Sequence, residues 1–404
     1  MKRSAIGAIG AQGAQALASF TLQIIVVRTL GLDGLGTFSI LYGVMVLVAG
    51  LMTGFVGDSL VVLDRRGRPI RSALEQYALG LSTVAAAISA AVTWASSLVT
   101  VSQAVLFGLA IVLFALEELM RRLLMANIGF WRVAAIDLAA FAGTMCVIGI
   151  AALGGRLSLD LVLIAVSVGQ VVAIGLGVVL LPREERFAVP FIGGGYGAVA
   201  GYGFWRASQQ LLRPGLLTVV RTLVTIFLGL AATGLLETAR VYVAPAMLVI
   251  SGLTSFLFVS YARDKTAKVG DQLPKADRAV VALLGVTVVM GLVLVLALPP
   301  LGPLLFGTTP QLAAVLGWLA YTASVSAVTP YGALAAVGGR QALVFTIRLA
   351  DTLLSALAVV VMMVLGAEAA YAPIALAIGS IAGGIAIRTI ILSPMVRRER
   401  RTEG

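Results

Sequence analysis

A chain of 404 residues with 60% hydrophobic and only 12% charged side chains cannot cover a water-soluble surface, which takes roughly a quarter of its residues charged. Its 29 Lys and Arg against 18 Asp and Glu leave a net charge of +11; that would suit nucleic acid, but most of the cations fall between apolar runs, where they lie against anionic headgroups. The absence of histidine removes the usual proton shuttle and the commonest metal ligand, and the single cysteine, Cys146, excludes a disulfide frame.

Runs of about 20 apolar residues recur from end to end, each long enough to cross a hydrocarbon core of about 30 Å as a helix. The two-residue alternation of a membrane barrel is absent. In chain order the expected spans are 5–27, 36–63, 76–100, 103–125, 131–153 and 158–181, then 199–229, 236–261, 278–299, 311–336, 342–366 and 370–394. The first starts at Lys2-Arg3 and reads as a span, because no convincing processing site separates it from the apolar stretch that follows. Residues 182–198, with Gly193, Gly194 and Gly195, form a flexible cytoplasmic linker between an N-terminal six-helix lobe (1–181) and a C-terminal one (199–404) that ends in a basic tail. The expected fold is all-α: a polytopic membrane protein of about twelve transmembrane helices, in two six-helix repeats around a central cavity.

With the connections numbered alternately from a cytoplasmic N-terminus, most Lys and Arg collect on one side. Arg65, Arg66, Arg68 and Arg71 follow span two, and Arg121, Arg122 and Arg132 surround the turn after span four. Lys265, Lys268 and Lys275 lie between spans eight and nine, Arg278 opens span nine, and Arg397, Arg398, Arg400 and Arg401 follow span twelve. This asymmetry makes that side cytoplasmic and puts both termini there. The halves also echo one another at an offset of 200. Gly34-Leu35, Tyr42 and Asp64 match Gly234-Leu235, Tyr242 and Asp264. Parallel repeats of this kind meet at a midplane site and rock against each other.

Residues that are costly to bury mark candidate sites. An arginine at the bilayer centre costs about 2.5–3.5 kcal/mol, and span seven holds three. Arg206, Gln209, Gln210, Arg213 and Arg221 share one arc of about 120° at 100° per residue. Pro214-Gly215 beside Arg213 is expected to kink or break that helix. Span one repeats the stripe with neutral groups, since Gln12, Gln15, Ser19 and Gln23 share about 80°. Both stripes are expected to face a hydrated, electropositive cavity that binds substrate, with Arg240 added from span eight. The alternative for the glutamines is interhelical hydrogen bonding at about 0.6 kcal/mol each.

The carboxylates are fewer. Glu117 and Glu118 precede Arg121 and Arg122 by four residues, which predicts two ion pairs at a helix end. Glu237 with Arg240 and Arg348 with Asp351 are pairs three apart, readable as static or as gates. Asp58 and Asp137 have no partner three or four residues away. With Asp351 they are the candidates for binding a coupling proton or sodium ion; for Asp58 and Asp137 the alternative is an arginine from another helix.

The stretch VVRTLGLDGLGTFSILYGVMVLVAG (26–50) resembles the opening of the polysaccharide and O-antigen flippases, in which a first helix ending in Arg meets a Leu-Gly turn and then Gly-x-Phe. GLLETARVYVAP (234–245) is similar to that family's start of span eight, and ALPPLGPLLFGTTPQLAAVL (297–316) to its junction of spans nine and ten. These proteins belong to the multidrug/oligosaccharidyl-lipid/polysaccharide exporter superfamily. The resemblance implies a flippase of the bacterial cytoplasmic membrane. It would carry a lipid-linked oligosaccharide or related polyprenyl-phosphate glycolipid from inner to outer leaflet by alternating access, for cell-surface polysaccharide biosynthesis. It implies no enzymatic activity, cofactor or metal, a proton or sodium ion as driver, and a polymerase or ligase as the class of protein partner. Arg221 departs from the pattern, which would place an acidic or neutral polar residue there. Arginine forks match phosphate and pyrophosphate oxygens, so the stripe independently favours this substrate. The alternative is an ion-coupled small-molecule or multidrug exporter of the same superfamily. A glycosyltransferase or ligase would need a larger outer loop bearing acidic groups.

Overall fold

A computed structural model describes residues 2–155, 157–186, 193–263 and 269–401. Asp264 of the repeat, and Lys265 and Lys268, lie outside them. The described chain is helical, with eleven helices long and apolar enough to cross a membrane. The first run, Lys2–Met52, is two helices joined at Gly31, whose φ of 72° and ψ of −167° fall where only glycine sits without strain. Gln15, Ser19 and Leu22 line one cavity with Tyr42. On one straight helix Gln15 and Tyr42 would be about 40 Å apart, so the two arms fold back on each other. Eleven helices thus make twelve crossings, and the all-α polytopic fold read from the sequence is the one observed.

We label them α1 (2–30), α2 (32–62), α3 (Arg68–Ala95), α4 (Val101–Ala126), α5 (Phe130–Leu153), α6 (Leu159–Leu180), α7 (Tyr196–Leu228), α8 (Leu230–Arg263), α9 (Val269–Phe306), α10 (Leu312–Val337), α11 (Gln341–Val364) and α12 (372–401). Gly229, at φ 88°, separates α7 from α8 as Gly31 separates α1 from α2. Two helix starts carry side-chain caps. Thr100 and Gln103 form a reciprocal capping box on α4, and Ser158 accepts from the Leu161 N–H at the start of α6. Two helices contain a π-turn, Thr53–Gly57 in α2 and Ile387–Leu392 in α12. The helix α9 runs past its expected limits through Pro299, Pro300 and Pro303 and stops only at Gly307, at φ 75°.

The chain forms two compact units, Met1–Thr218 and Val219–Gly404, and passes from one to the other inside α7. Within each, glycines let helices touch. A Cβ on Gly169 of α6 would lie 2.2 Å from the Thr144 hydroxyl of α5, and one on Gly379 of α12 would lie 2.0 Å from the Ser355 hydroxyl of α11. Without a hydrophobic force between helices in lipid, such small-residue contacts hold them together. In the second unit Trp318 of α10 donates to the Leu236 carbonyl of α8 at 3.0 Å, and Tyr242 donates to the Leu294 carbonyl of α9 at 2.7 Å.

Candidate functional site

The arginine stripe of α7 divides three ways. The π-turn of α2 brings that helix into backbone contact with α7: a Cβ on Gly54 would lie 2.5 Å from the Ala207 Cα, and one on Gly203 would lie 2.5 Å from the Phe55 carbonyl oxygen. At that crossing Arg206 reaches Asp58 at 2.7 Å and donates to Gln209 at 3.1 Å. Asp58, expected to lack a partner along the chain, thus has one across helices.

Farther along, Arg221 is buried and grips Glu237 with two nitrogens, at 2.8 and 3.4 Å. Arg240 contacts the same carboxylate at 2.5 Å. Glu237 therefore faces two cations, where the sequence reading expected a Glu237–Arg240 pair.

Arg213 differs from both. It is exposed near the middle of α7 and makes no ion pair or hydrogen bond among the described residues. The helix continues through Pro214 instead of breaking. Proline has no N–H for the Gln210 carbonyl, and that carbonyl lies 3.4 Å from where a Cβ on Gly50 would stand. Gln210 itself is exposed.

Along α1, Gln12 is exposed, while Gln23 is buried and its amide donates to the Ser19 carbonyl at 3.0 Å. Gln15 and Ser19 line a cavity of about 70 Å³ together with Tyr42, Glu117, Asp137 and Gln170. Behind it lies a buried charge cluster. Arg121 donates to Glu118 at 2.7 Å and to both oxygens of Asp137, at 2.9 and 3.4 Å. Arg122 reaches Glu118 at 2.8 Å, and the Thr53 hydroxyl of the π-turn donates to it at 2.9 Å.

Glu118 thus takes both arginines, in place of the two separate pairs expected. Glu117 makes no hydrogen bond or ion pair among the described residues and faces the cavity. Three carboxylates against two guanidinium groups leave one excess acid. Sequence reasoning missed Glu117 because its spacing to Arg121 satisfied the pairing rule, and only the bend of Arg121 toward Asp137 reveals it.

The second unit has a counterpart between α11 and α12. Asp351 accepts from Arg348 at 3.2 Å and from Thr352 at 3.3 Å. A Cβ on Gly383 would lie 2.1 Å from its Oδ2. Ser380 directly follows Gly379, as Gln170 directly follows Gly169, and the Ser380 hydroxyl and Gln170 carbonyl oxygen are both buried without a hydrogen-bond partner. Each unit therefore holds a hydroxyl against a glycine, and next to that glycine a residue with an unsatisfied buried polar atom.

No family model matches the chain, and no curated protein matches it. Solved structures do. An inward-facing multidrug resistance MATE family transporter of the MOP superfamily aligns with a TM-score of 0.70 at 12% identity, over 96% of each chain. An outward-facing form of such a transporter aligns at 0.66 and 12% identity, over 99% of this chain and 96% of that one. A MOP superfamily transporter from Pyrococcus furiosus, described as having a binding pocket of reverse polarity that suggests a different function, aligns at 0.65 and 13% identity, over 97% and 95%. This chain has the fold of the MATE family transporters of the MOP superfamily.

Proposed function

We propose that the chain is an alternating-access membrane transporter that turns a lipid-linked oligosaccharide, or a related polyprenyl-phosphate glycolipid, from the inner to the outer leaflet. The reading includes the bacterial cytoplasmic membrane, cytoplasmic termini and the six-plus-six division at residues 181 and 199. The observation that carries the substrate class is Arg213, an exposed guanidinium without an ion-pair partner near the middle of a membrane-crossing helix. A charge there costs about 2.5–3.5 kcal/mol, and packing gives no reason for it. A phosphate or pyrophosphate between prenyl tail and glycan does, because the guanidinium fork grips two of its oxygens at once. Gln210 and Gln12, both exposed, supply hydrogen bonds suited to sugar hydroxyls. Arg206, Arg221 and Arg240 are engaged by carboxylates instead. The Pyrococcus protein's described pocket of reverse polarity supports the view that this fold accommodates cavities of either sign.

Coupling is assigned to Glu117 with Asp137 in the first unit and to Asp351 in the second. A proton or sodium ion bound at Glu117 neutralises the excess acid of its cluster. This acidic cavity also supports a second reading, an ion-coupled exporter of small molecules, which matches the multidrug transporters among the similar structures. Reconstitution separates the two. Vesicles holding the protein and a short prenyl-pyrophosphate glycan are expected to expose the glycan to an added glycosidase, and Arg213→Ala vesicles are not. Glycan that stays shielded in wild-type vesicles that nevertheless expel a cationic dye would replace the flippase with the exporter.

A further inference from the structure

A second cavity, of about 200 Å³, lies in the first unit, at the end that the arginine asymmetry makes cytoplasmic. It is far larger than the ~10–15 Å³ that one water requires. Val56 and Leu60 of α2, Leu74 of α3, and Leu119 and Leu123 of α4 form a buried apolar floor. The rim is charged. Arg65, Arg66, Arg71, Glu75, Glu184 and Glu185 bring three charges of each sign.

Most of that rim is spoken for. Arg65 pairs with Glu185 at 3.1 Å, Asn127 donates to the same carboxylate at 2.6 Å, and Arg71 meets Glu75 at 3.3 Å while donating to the Glu184 and Arg186 carbonyls. These bonds tie residues 184–186 to α3 and to the turns that follow α2 and α4. Two charges are left over. The Arg66 guanidinium and the Glu184 carboxylate are exposed, and neither makes an ion pair or a side-chain hydrogen bond among the described residues. Next to Leu60 in the sequence, Val61 and Val62 are each 60% exposed.

A buried apolar floor below one unpaired cation and one unpaired anion is complementary to one class of molecule, an amphiphile whose head carries both signs. We infer that this cavity is a binding site for a zwitterionic phospholipid with a primary-ammonium headgroup, of the phosphoethanolamine type. Arg66, with the outer edge of Arg65, takes the phosphate, Glu184 takes the ammonium, and the leucine floor takes the start of the acyl chains. A basic pocket between helices on this side would select anionic lipid; the equal count of acids on this rim argues against that. A primary ammonium has three N–H donors for a carboxylate, which a trimethylated one lacks. The site is independent of the transported substrate, because none of its residues belongs to the α7 stripe or the Glu117 cavity.

The test is native mass spectrometry of the full chain, delipidated in detergent and titrated with phosphatidylethanolamine, phosphatidylcholine or phosphatidylglycerol of identical acyl chains. The expected result is one phosphatidylethanolamine retained at least about ten-fold more tightly than either other lipid. Arg66→Ala should lower that retention by about the same factor. Glu184→Gln should remove the preference over phosphatidylcholine. Leu74→Trp, which fills the floor without touching a charge, should displace the lipid, with the melting temperature of each variant checking that it is folded. Equal retention of the three lipids, preference for phosphatidylglycerol, or insensitivity to all three substitutions would each overturn the assignment.

Discussion

Glu237, 1% exposed between Arg221 and Arg240, shows how a buried charge differs from a binding charge. Removing one partner of a buried ion pair costs about 3–5 kcal/mol, because the other charge is left uncompensated. Glu237→Gln removes the carboxylate that both guanidinium groups contact, so the variant should melt well below wild type in detergent and accumulate poorly in membranes. Arg213→Ala is expected to do the reverse, with normal melting and normal membrane levels but no transport. Arg213→Lys should restore part of the activity if the fork geometry matters; full restoration would reduce the contact to simple charge. Glu117→Gln removes the excess acid of the cluster. It should leave the fold intact while transport loses its response to an imposed proton or sodium gradient, read by flux with and without the gradient. The three arginines of α7 were legible as a stripe because arginine is rare in apolar sequence. Which of them was committed to a carboxylate was not, since Asp58 lies on another helix and Glu237 lies past the Gly229 turn.

At the scale of elements, the spans were legible because length and apolar content alone define a crossing helix. Their limits were less so. The expected span ended at residue 299, yet the helix runs through three prolines to Phe306, since lost backbone bonds at a helix end can be met by neighbouring groups. The π-turn of α2 left no trace in the periodicity of its neighbours, and the glycine notches depend on pairings between helices that one chain's spacing does not record. Gly54 is the sharpest example. Its missing Cβ would fall 2.5 Å from the α7 backbone, where overpacking costs about 1–3 kcal/mol. Gly54→Val should therefore lower thermal stability and, by forcing α2 from α7, break the Arg206–Asp58 contact. Arg206→Ala made in the Gly54→Val background should then add little further loss, whereas strictly additive losses would separate the two contacts.

At the scale of the whole molecule, the composition excluded a soluble protein, and the arginine distribution yields a topology that labelling can check. In a Cys146→Ala background, single cysteines at Arg66 and Arg340 should react with an impermeant reagent only from the cytoplasmic side, and one at Asp33 only from the outside. An unlabelled Asp33 position would contradict the hairpin at Gly31. The paired hydroxyl–glycine contacts, Thr144 with Gly169 and Ser355 with Gly379, are arranged as the internal repeat expected from the sequence would have them. The central claim concerns cargo, and leaflet analysis of glycolipids in cells depleted of this protein tests it most directly. An impermeant glycosidase or label applied from each side should find a polyprenyl-linked glycan accumulating on the cytoplasmic leaflet. Unchanged glycolipids together with raised sensitivity to small cationic compounds would contradict the flippase and leave the exporter in its place.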